Sequence, residues 1–243
     1  MYTLIIPLAG YGTRMESKIP KALTLVEGRS LLDISSSGLK KFAVATILVL
    51  SKVNSIALLK EAKKCKFKKI SKVYQVSPNG TAYAVLEALQ ITQTNYAVTV
   101  WGDHIGAEAF PSELLINEFQ KKNFDIVIPL IEVSNPYVYF NLKGDTIRGF
   151  HETRKGAPQI KKGFSDVGVF GLNVENVRTE LRKWIEINSE VQDLNLLSFF
   201  ASPQSRVLRV KIFKLDKKLN HLTFGINSKA DLRKYLDQKL GAS

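Results

Sequence analysis

Three stretches of the chain carry residues whose types and spacing suit work on phosphates. The first is near the start. An apolar run, Leu4-Ile5-Ile6-Pro7-Leu8, is short enough to be a buried strand and breaks into Ala9-Gly10-Tyr11-Gly12-Thr13-Arg14. Lys21 follows behind Pro20. Glycines after a strand let the backbone turn sharply and bring N–H groups close to an anion, and Arg14 and Lys21 add positive charge at the same place. Such a loop can hold a polyphosphate. It lacks the third glycine of a dinucleotide-binding loop and the Gly-Lys-Ser/Thr of a P-loop. Taken alone, the same residues also make an ordinary surface turn.

The second stretch is Trp101-Gly102-Asp103-His104, where an apolar run ends in a single carboxylate. Mg²⁺ prefers one or two carboxylates completed by waters and phosphate oxygens, so Asp103 suits triphosphate chemistry; a turn or capping aspartate is the other reading. His104 reads as a loop histidine. The third stretch is Gln75-Val-Ser-Pro-Asn-Gly80-Thr81. A glutamine amide offers a donor and an acceptor, as does the Watson–Crick edge of uracil or thymine, and Gly80 would admit backbone close to the ring. The alternative is a polar strand end followed by a Pro78-Asn79-Gly80 turn.

The elements needed to position these stretches are legible from periodicity. Helices are expected over Ser30–Phe42, Ser55–Lys64, Thr81–Gln93 and Ser112–Asn123, the last with Ser112 as its N-cap. Strands are expected over Ala43–Ser51, Ile70–Gln75, Tyr96–Trp101 and Asp125–Glu132. Alternation of strand and helix means a mostly parallel sheet covered on both faces, with ligands at the carboxyl ends of its strands. After Pro136 the character changes. Val138–Asn141 and Asp145–His151 read as a hairpin, and Val167–Leu172 and Arg206–Lys214 as further strands. Helices are expected over Glu175–Asn188, Asp193–Ala201 and Asn227–Leu240, the last opened by the capping-box pattern Ser228-x-x-Asp231. The 243 residues are read as a single domain, 1–132 forming a nucleotide-binding half and 133–243 an acceptor-binding half.

Composition narrows the function classes. A hydrophobic fraction of 45% suits a packed core. No apolar stretch is long enough to cross a bilayer, and no signal peptide precedes the first strand, so a cytoplasmic protein without a membrane partner is expected. Cys65 is the only cysteine, which excludes an intrachain disulfide. The charge balance, 35 − 22 = +13, admits nucleic-acid binding or a basic exterior that attracts phosphorylated small molecules. The densest run, Lys60 to Lys72, has no interleaved aromatic platform beyond Phe67 and reads as a solvated surface, which argues against a nucleic-acid partner.

Ala9-Gly10-Tyr11-Gly12-Thr13-Arg14-Met15 with Pro20-Lys21-Ala22-Leu23 resembles the signature of the sugar-1-phosphate nucleotidyltransferases, closest to the catalytic domains of N-acetylglucosamine-1-phosphate uridylyltransferases and glucose-1-phosphate thymidylyltransferases. The resemblance runs from Leu4 to about Leu236 and is dense to about residue 105. It implies an α/β, Rossmann-like (GT-A-like) mixed sheet, mostly parallel, with a small antiparallel acceptor-binding subregion. It implies Arg14, Lys21 and Asp103 as catalytic residues. It further implies Leu8, Ala9, Gly10, Gly12, Thr13, Gln75, Gly80 and Thr81 as nucleotide-binding residues. Gln75 and Gly80 keep the spacing of the uridylyl- and thymidylyltransferases of that family, so the resemblance implies UTP or dTTP. Mg²⁺ would be held by Asp103 and, from Gly225-Ile226-Asn227-Ser228, by Asn227. Glu152 and Asp166 would contact the acceptor, although Thr153 stands where relatives carry a lysine and Asp166 would repel a phosphate.

The reaction so implied is attack by a phosphate-monoester oxygen on the α-phosphorus of the nucleotide, with pyrophosphate leaving. The nucleophile is already anionic, its second pKa being near ~6, so no general base is required. A cytidylyltransferase acting on phosphocholine or another alcohol phosphate shares the loop and the Gly-Asp. A non-catalytic module would be free to lose Arg14, Lys21 and Asp103, which are all present. No hexapeptide-repeat region is visible, so neither acetyltransferase activity nor an oligomer built through such repeats is expected, although an oligomer of another kind is compatible with the sequence.

Overall fold

A computed structural model describes residues 1–10, 19–75 and 79–240. In chain order the elements are β1 (Tyr2–Pro7), β2 (Leu25–Val26), β3 (Arg29–Ser30), α1 (Leu31–Lys40), β4 (Ala43–Leu50), α2 (Ser55–Lys64), β5 (Ile70–Tyr74), α3 (Thr81–Ile91) and β6 (Tyr96–Val100). There follow α4 (Glu113–Lys121), β7 (Ile126–Ser134), β8 (Val138–Lys143), β9 (Thr146–Glu152), β10 (Lys162–Asp166), β11 (Val169–Asn173), α5 (Val174–Ile187), α6 (Leu196–Phe200), β12 (Val210–Lys214) and α7 (Lys229–Leu240).

Ten strands form one sheet in the order β5-β4-β1-β6-β11-β7-β10-β8-β9, with β12 beside β7; β2 and β3 make a separate antiparallel pair. The β5-β4-β1-β6 block is parallel throughout. Following the pairings outward, β7, β12 and β8 share its direction, whereas β11, β10 and β9 oppose it. Seven strands of the ten therefore point one way, and the Rossmann-like, mostly parallel mixed sheet is as expected.

Period-two alternation in β1 explains the two covered faces. Leu4 and Ile6 pack with Leu32 and Leu39 of α1, Leu58 of α2 and Leu115 of α4. Ile5 joins α3, α5 and α6 on the opposite face through Val85, Leu89, Leu181, Trp184 and Phe199. β1 lies between β4 and β6 and is buried from Tyr2 to Ile6, so the chain emerging from it is launched from the rigid centre of the sheet.

Four expectations are corrected. Ser112 stands at the start of α4 but caps nothing: its hydroxyl donates to the Gly38 carbonyl at 2.8 Å. The strand expected over Val167–Leu172 starts only at Val169, as β11, and a strand with no signal in the sequence pattern, β10, ends at Asp166 just before it. Asp166 faces Leu130 and Gly171 faces Val127, so five residues on one side oppose three on the other. β10 and β11 thus share one edge of β7 with two extra residues between them, and that break sends β11 to β6 and β10 to β8. The helix expected from Asp193 begins only at Leu196, after Asn195 accepts the Leu197 N–H at 3.0 Å. The strand expected from Arg206 begins at Val210, because Gln204–Val207 winds as a 3₁₀ turn. The capping box on α7 is present: Ser228 Oγ accepts the Asp231 N–H at 3.2 Å, and the Asp231 carboxylate accepts the Asn227 N–H at 2.8 Å.

Candidate active site

A cleft of about 370 Å³ opens where β1, β5 and β6 end, and its far wall is built by the β8-β9-β10 region. Leu8, Ala9, Gly10, Lys21, Gln75, Gly80, Thr81, Asp103, Glu152, Asp166 and Asn227 all line it. Of the residues expected to do chemistry, Gly12, Thr13 and Arg14 lie outside the described residues.

Lys21 opens the 3₁₀ turn Lys21–Leu23, set up by Pro20 in an extended conformation (φ −54°, ψ 134°). Its ammonium forms a short ion pair with Asp103 and donates to Asn227 Oδ1 at 3.0 Å. Residues from opposite ends of the chain thus converge on one point. The segment after β6 and the one before α7 are joined by three hydrogen bonds that bring Asp103 and Asn227 together. Ile226 N–H donates to the Asp103 carbonyl (3.0 Å), Gly106 N–H to Phe224 (3.0 Å), and His104 Nε2–H to Leu222 (2.8 Å). His104 is thus a loop histidine, as read, that is buried and braces the two segments. Its ring packs on Gly168, in the break between β10 and β11; a Cβ there would lie 2.5 Å from the ring, so only glycine fits.

Asp103 and Asn227 supply one carboxylate and one amide oxygen, both already facing a cation, the Lys21 ammonium. That donor set fits a hard divalent cation completed by substrate oxygens. Among the described residues no group of three or more His, Cys, Asp or Glu side chains could hold a metal by itself.

At the nucleotide end, Gln75 is buried and its Nε2 donates to the Gly80 carbonyl at 3.2 Å. Gly80 has φ +102°, and a Cβ there would lie 2.2 Å from the Leu194 carbonyl oxygen. The close neighbour is therefore protein backbone: Leu194 N–H bonds Asn79 at 2.9 Å and Ala82 N–H bonds Leu194 at 3.0 Å. Thr81 Oγ1 accepts the Leu196 N–H at 2.9 Å. Residues 193–195 thus strap the loop that carries Gly80. Gly80→Ala should lower the melting temperature by several degrees and weaken nucleoside triphosphate binding about 10-fold, as a clash with fixed backbone does; calorimetry and titration check both.

On the far wall Glu152 is buried and paired with Arg154 (2.8 Å) and Lys155 (3.2 Å). Burial raises its pKa, but the hydrogen bonds from Arg154 and Lys155 outweigh this and hold it below the ordinary value. Lys155 also reaches Asp193 at 3.3 Å, linking this wall to the strap. Asp166 is buried and accepts the Gly168 N–H at 2.8 Å. Burial pushes its carboxyl above the ordinary range, against the opposing pull of His104 and that N–H. Tyr137 has a half-exposed ring under the Arg154 guanidinium, while its hydroxyl faces the cleft. Burial of that hydroxyl and the negative charge of Asp166 and Asp103 push it up to about 12, so it stays a neutral donor. Sequence reasoning missed Tyr137, Asp193 and Asn195. The Asn195 cap before Leu196-Leu197 is a readable signal of a helix start, but nothing local ties it to the cleft.

Parallel strands whose carboxyl ends meet a basic-acidic cluster, with a facing antiparallel wall, define a nucleotidyltransferase-type domain. Residues 4–161 match the MobA-like NTP transferase domain, and the chain belongs to that family. It is 26% identical over 190 residues to the bifunctional protein GlmU of Francisella tularensis subsp. holarctica (strain OSU18), covering 75% of this chain and 39% of that protein, so the chain spans about two fifths of its relative's length. In fold it is similar to a putative glucose-1-phosphate thymidylyltransferase from Bacillus anthracis, solved with a sucrose (TM-score 0.74, 14% identity, 96% of this chain and 93% of that one). It is also similar to the inositol-1-phosphate CTP transferase from T. maritima (TM-score 0.68, 19% identity, 95% and 91%). Among the described residues no helix is long and apolar enough to cross a membrane.

Proposed function

We propose that the chain condenses a nucleoside triphosphate, UTP or dTTP by preference, with a sugar 1-phosphate, giving a nucleotide sugar and pyrophosphate. The observation that carries this reading is the meeting of Lys21, Asp103 and Asn227 at the junction of the two walls of the cleft. Family membership and the likeness to GlmU support it.

In this reading the base lies by Gln75 and Gly80, and the triphosphate runs toward the loop after β1. An acceptor phosphate oxygen attacks the α-phosphorus, and the bond to the β-phosphate's bridging oxygen breaks as pyrophosphate leaves. Lys21 stabilises charge between the α-phosphate and the incoming phosphate, and Arg14, with the loop amides, holds the leaving pyrophosphate. Mg²⁺, held by Asp103 and Asn227, would neutralise phosphate charge where the two substrates meet. Tyr137, Glu152 with its two cations, and Asp166 contact the acceptor's hydroxyls. The work is done inside the cell, where both substrates are made.

Pyrophosphate release across four nucleoside triphosphates, each with a panel of sugar 1-phosphates and phosphocholine, tests the proposal. Release with UTP or dTTP and a sugar 1-phosphate is expected; release only with CTP and an alcohol phosphate, or with no pair, overturns it. Gln75→Ala should raise KM for the preferred triphosphate about 10-fold, the worth of one hydrogen bond to the base, and leave KM for the acceptor unchanged. Steady-state kinetics with each substrate varied in turn would show this split.

A further inference from the structure

We propose that α2, with the turn and edge strand that follow it, is a docking surface for an anionic lipid membrane. Between residues 52 and 72 the exposed side chains are Lys52, Val53, Ile56, Ala57, Lys60, Lys63, Lys64, Lys66, Lys68, Lys69, Ser71 and Lys72. Eight are lysines and none is acidic. Glu61, the one carboxylate of this stretch, is largely covered and pairs with Lys64 at 3.2 Å. Lys68 reaches the Lys41 carbonyl at 3.3 Å, which carries the positive surface onto the end of α1.

Lysines alone have another use here. β5 is the last strand on its side of the sheet, and charge on an edge strand discourages pairing with other chains. That does not account for Val53 and Ile56, which are 85% and 84% exposed. Val53 stands in the turn that leads into α2, and Ile56 is in its first turn on the exposed face that Lys60, Lys63 and Lys64 continue, while Leu58 and Ala62 are buried against the sheet. An aliphatic tip on a lysine-only surface suits a bilayer whose headgroups are negative: the aliphatics enter the acyl boundary and the ammoniums stay with the phosphates. A nucleic acid fits less well. The exposed set contains no arginine to grip phosphate in a fork and no aromatic to stack on a base, Phe67 being buried.

The surface stands beside the cleft. α2 follows the carboxyl end of β4, and the Asn54 side chain before it reaches the Leu8 carbonyl at 3.5 Å. A chain seated on this face would hold its cleft close to the bilayer.

Co-sedimentation of the full chain with vesicles of phosphatidylcholine, with and without about one third phosphatidylglycerol, tests this. Partition onto the anionic vesicles should exceed that onto neutral ones by at least ~10-fold at moderate salt, since several lysines act together. Val53→Ser with Ile56→Ser should lower it ~5-fold or more, and Lys60→Glu with Lys63→Glu should abolish it. Both double variants should keep the parent melting temperature. Equal partition onto both vesicle types, no partition, or indifference to Val53→Ser with Ile56→Ser overturns the proposal. Salt-sensitive binding of single-stranded RNA that exceeds vesicle binding also overturns it and assigns the lysines to nucleic acid.

Discussion

Lys21→Ala lowers turnover by well over ~100-fold, the scale of losing one preorganised charge from a phosphoryl-transfer site. The ammonium is held on a 3₁₀ turn started by Pro20, between Asp103 and Asn227, and its side chain is only 15% exposed. Such a group needs little reorganisation to meet charge that builds up during transfer. The same substitution has a second, opposite effect. In the free protein the ammonium stands between the two oxygens that suit a divalent cation, so removing it should tighten Mn²⁺ binding in the absence of nucleotide. A rapid-quench turnover measurement and a Mn²⁺ titration by electron paramagnetic resonance read the two separately. Near-normal turnover would sink the assignment. Lys21→Arg should not restore the rate, because a planar fork cannot replace a point charge between two acceptors.

Asp103→Asn is expected to cost at least as much. The substitution keeps the shape and leaves the Asp103 backbone carbonyl bonded to Ile226, so the joined loops should survive and the melting temperature should barely move. What it removes is the carboxylate that pairs with Lys21 beside Asn227, and with it the charge that a divalent cation requires. A fall of ~100- to 1000-fold in turnover with loss of Mn²⁺ binding is expected. Retained Mn²⁺ affinity alongside normal turnover would move the metal elsewhere.

Much of the frame could be read in advance. The strands of the β5-β4-β1-β6 block and the helices α1 to α4 lie where hydrophobic period placed them, within a residue or two, because each buries one face against a regular sheet; the short β2–β3 pair has no such signal. Gly10, Gln75 and Gly102-Asp103 follow closely on the ends of β1, β5 and β6, and position in the chain is enough to locate them. The second half resisted. β10, Lys-Gly-Phe-Ser-Asp, has no apolar alternation to announce it, and only its pairing with β7 and β8 makes it a strand. Local pattern carries no record of which neighbour a strand will find.

What the sequence determined by itself was the alternation of elements and the types of group offered at each strand end, since both follow from local spacing. The tertiary structure decided which groups meet. Asn227 lies more than a hundred residues from Asp103, and only the hydrogen bonds through Ile226, Phe224 and His104 bring its amide to Lys21. Burial was decided there too. Nothing local tells that Glu152 and Asp166 are buried, yet both are inside the cleft wall, because the hairpin and the two-residue break fold them inward. Side-chain chemistry is local, but the distance between two side chains depends on every pairing in the sheet that separates them.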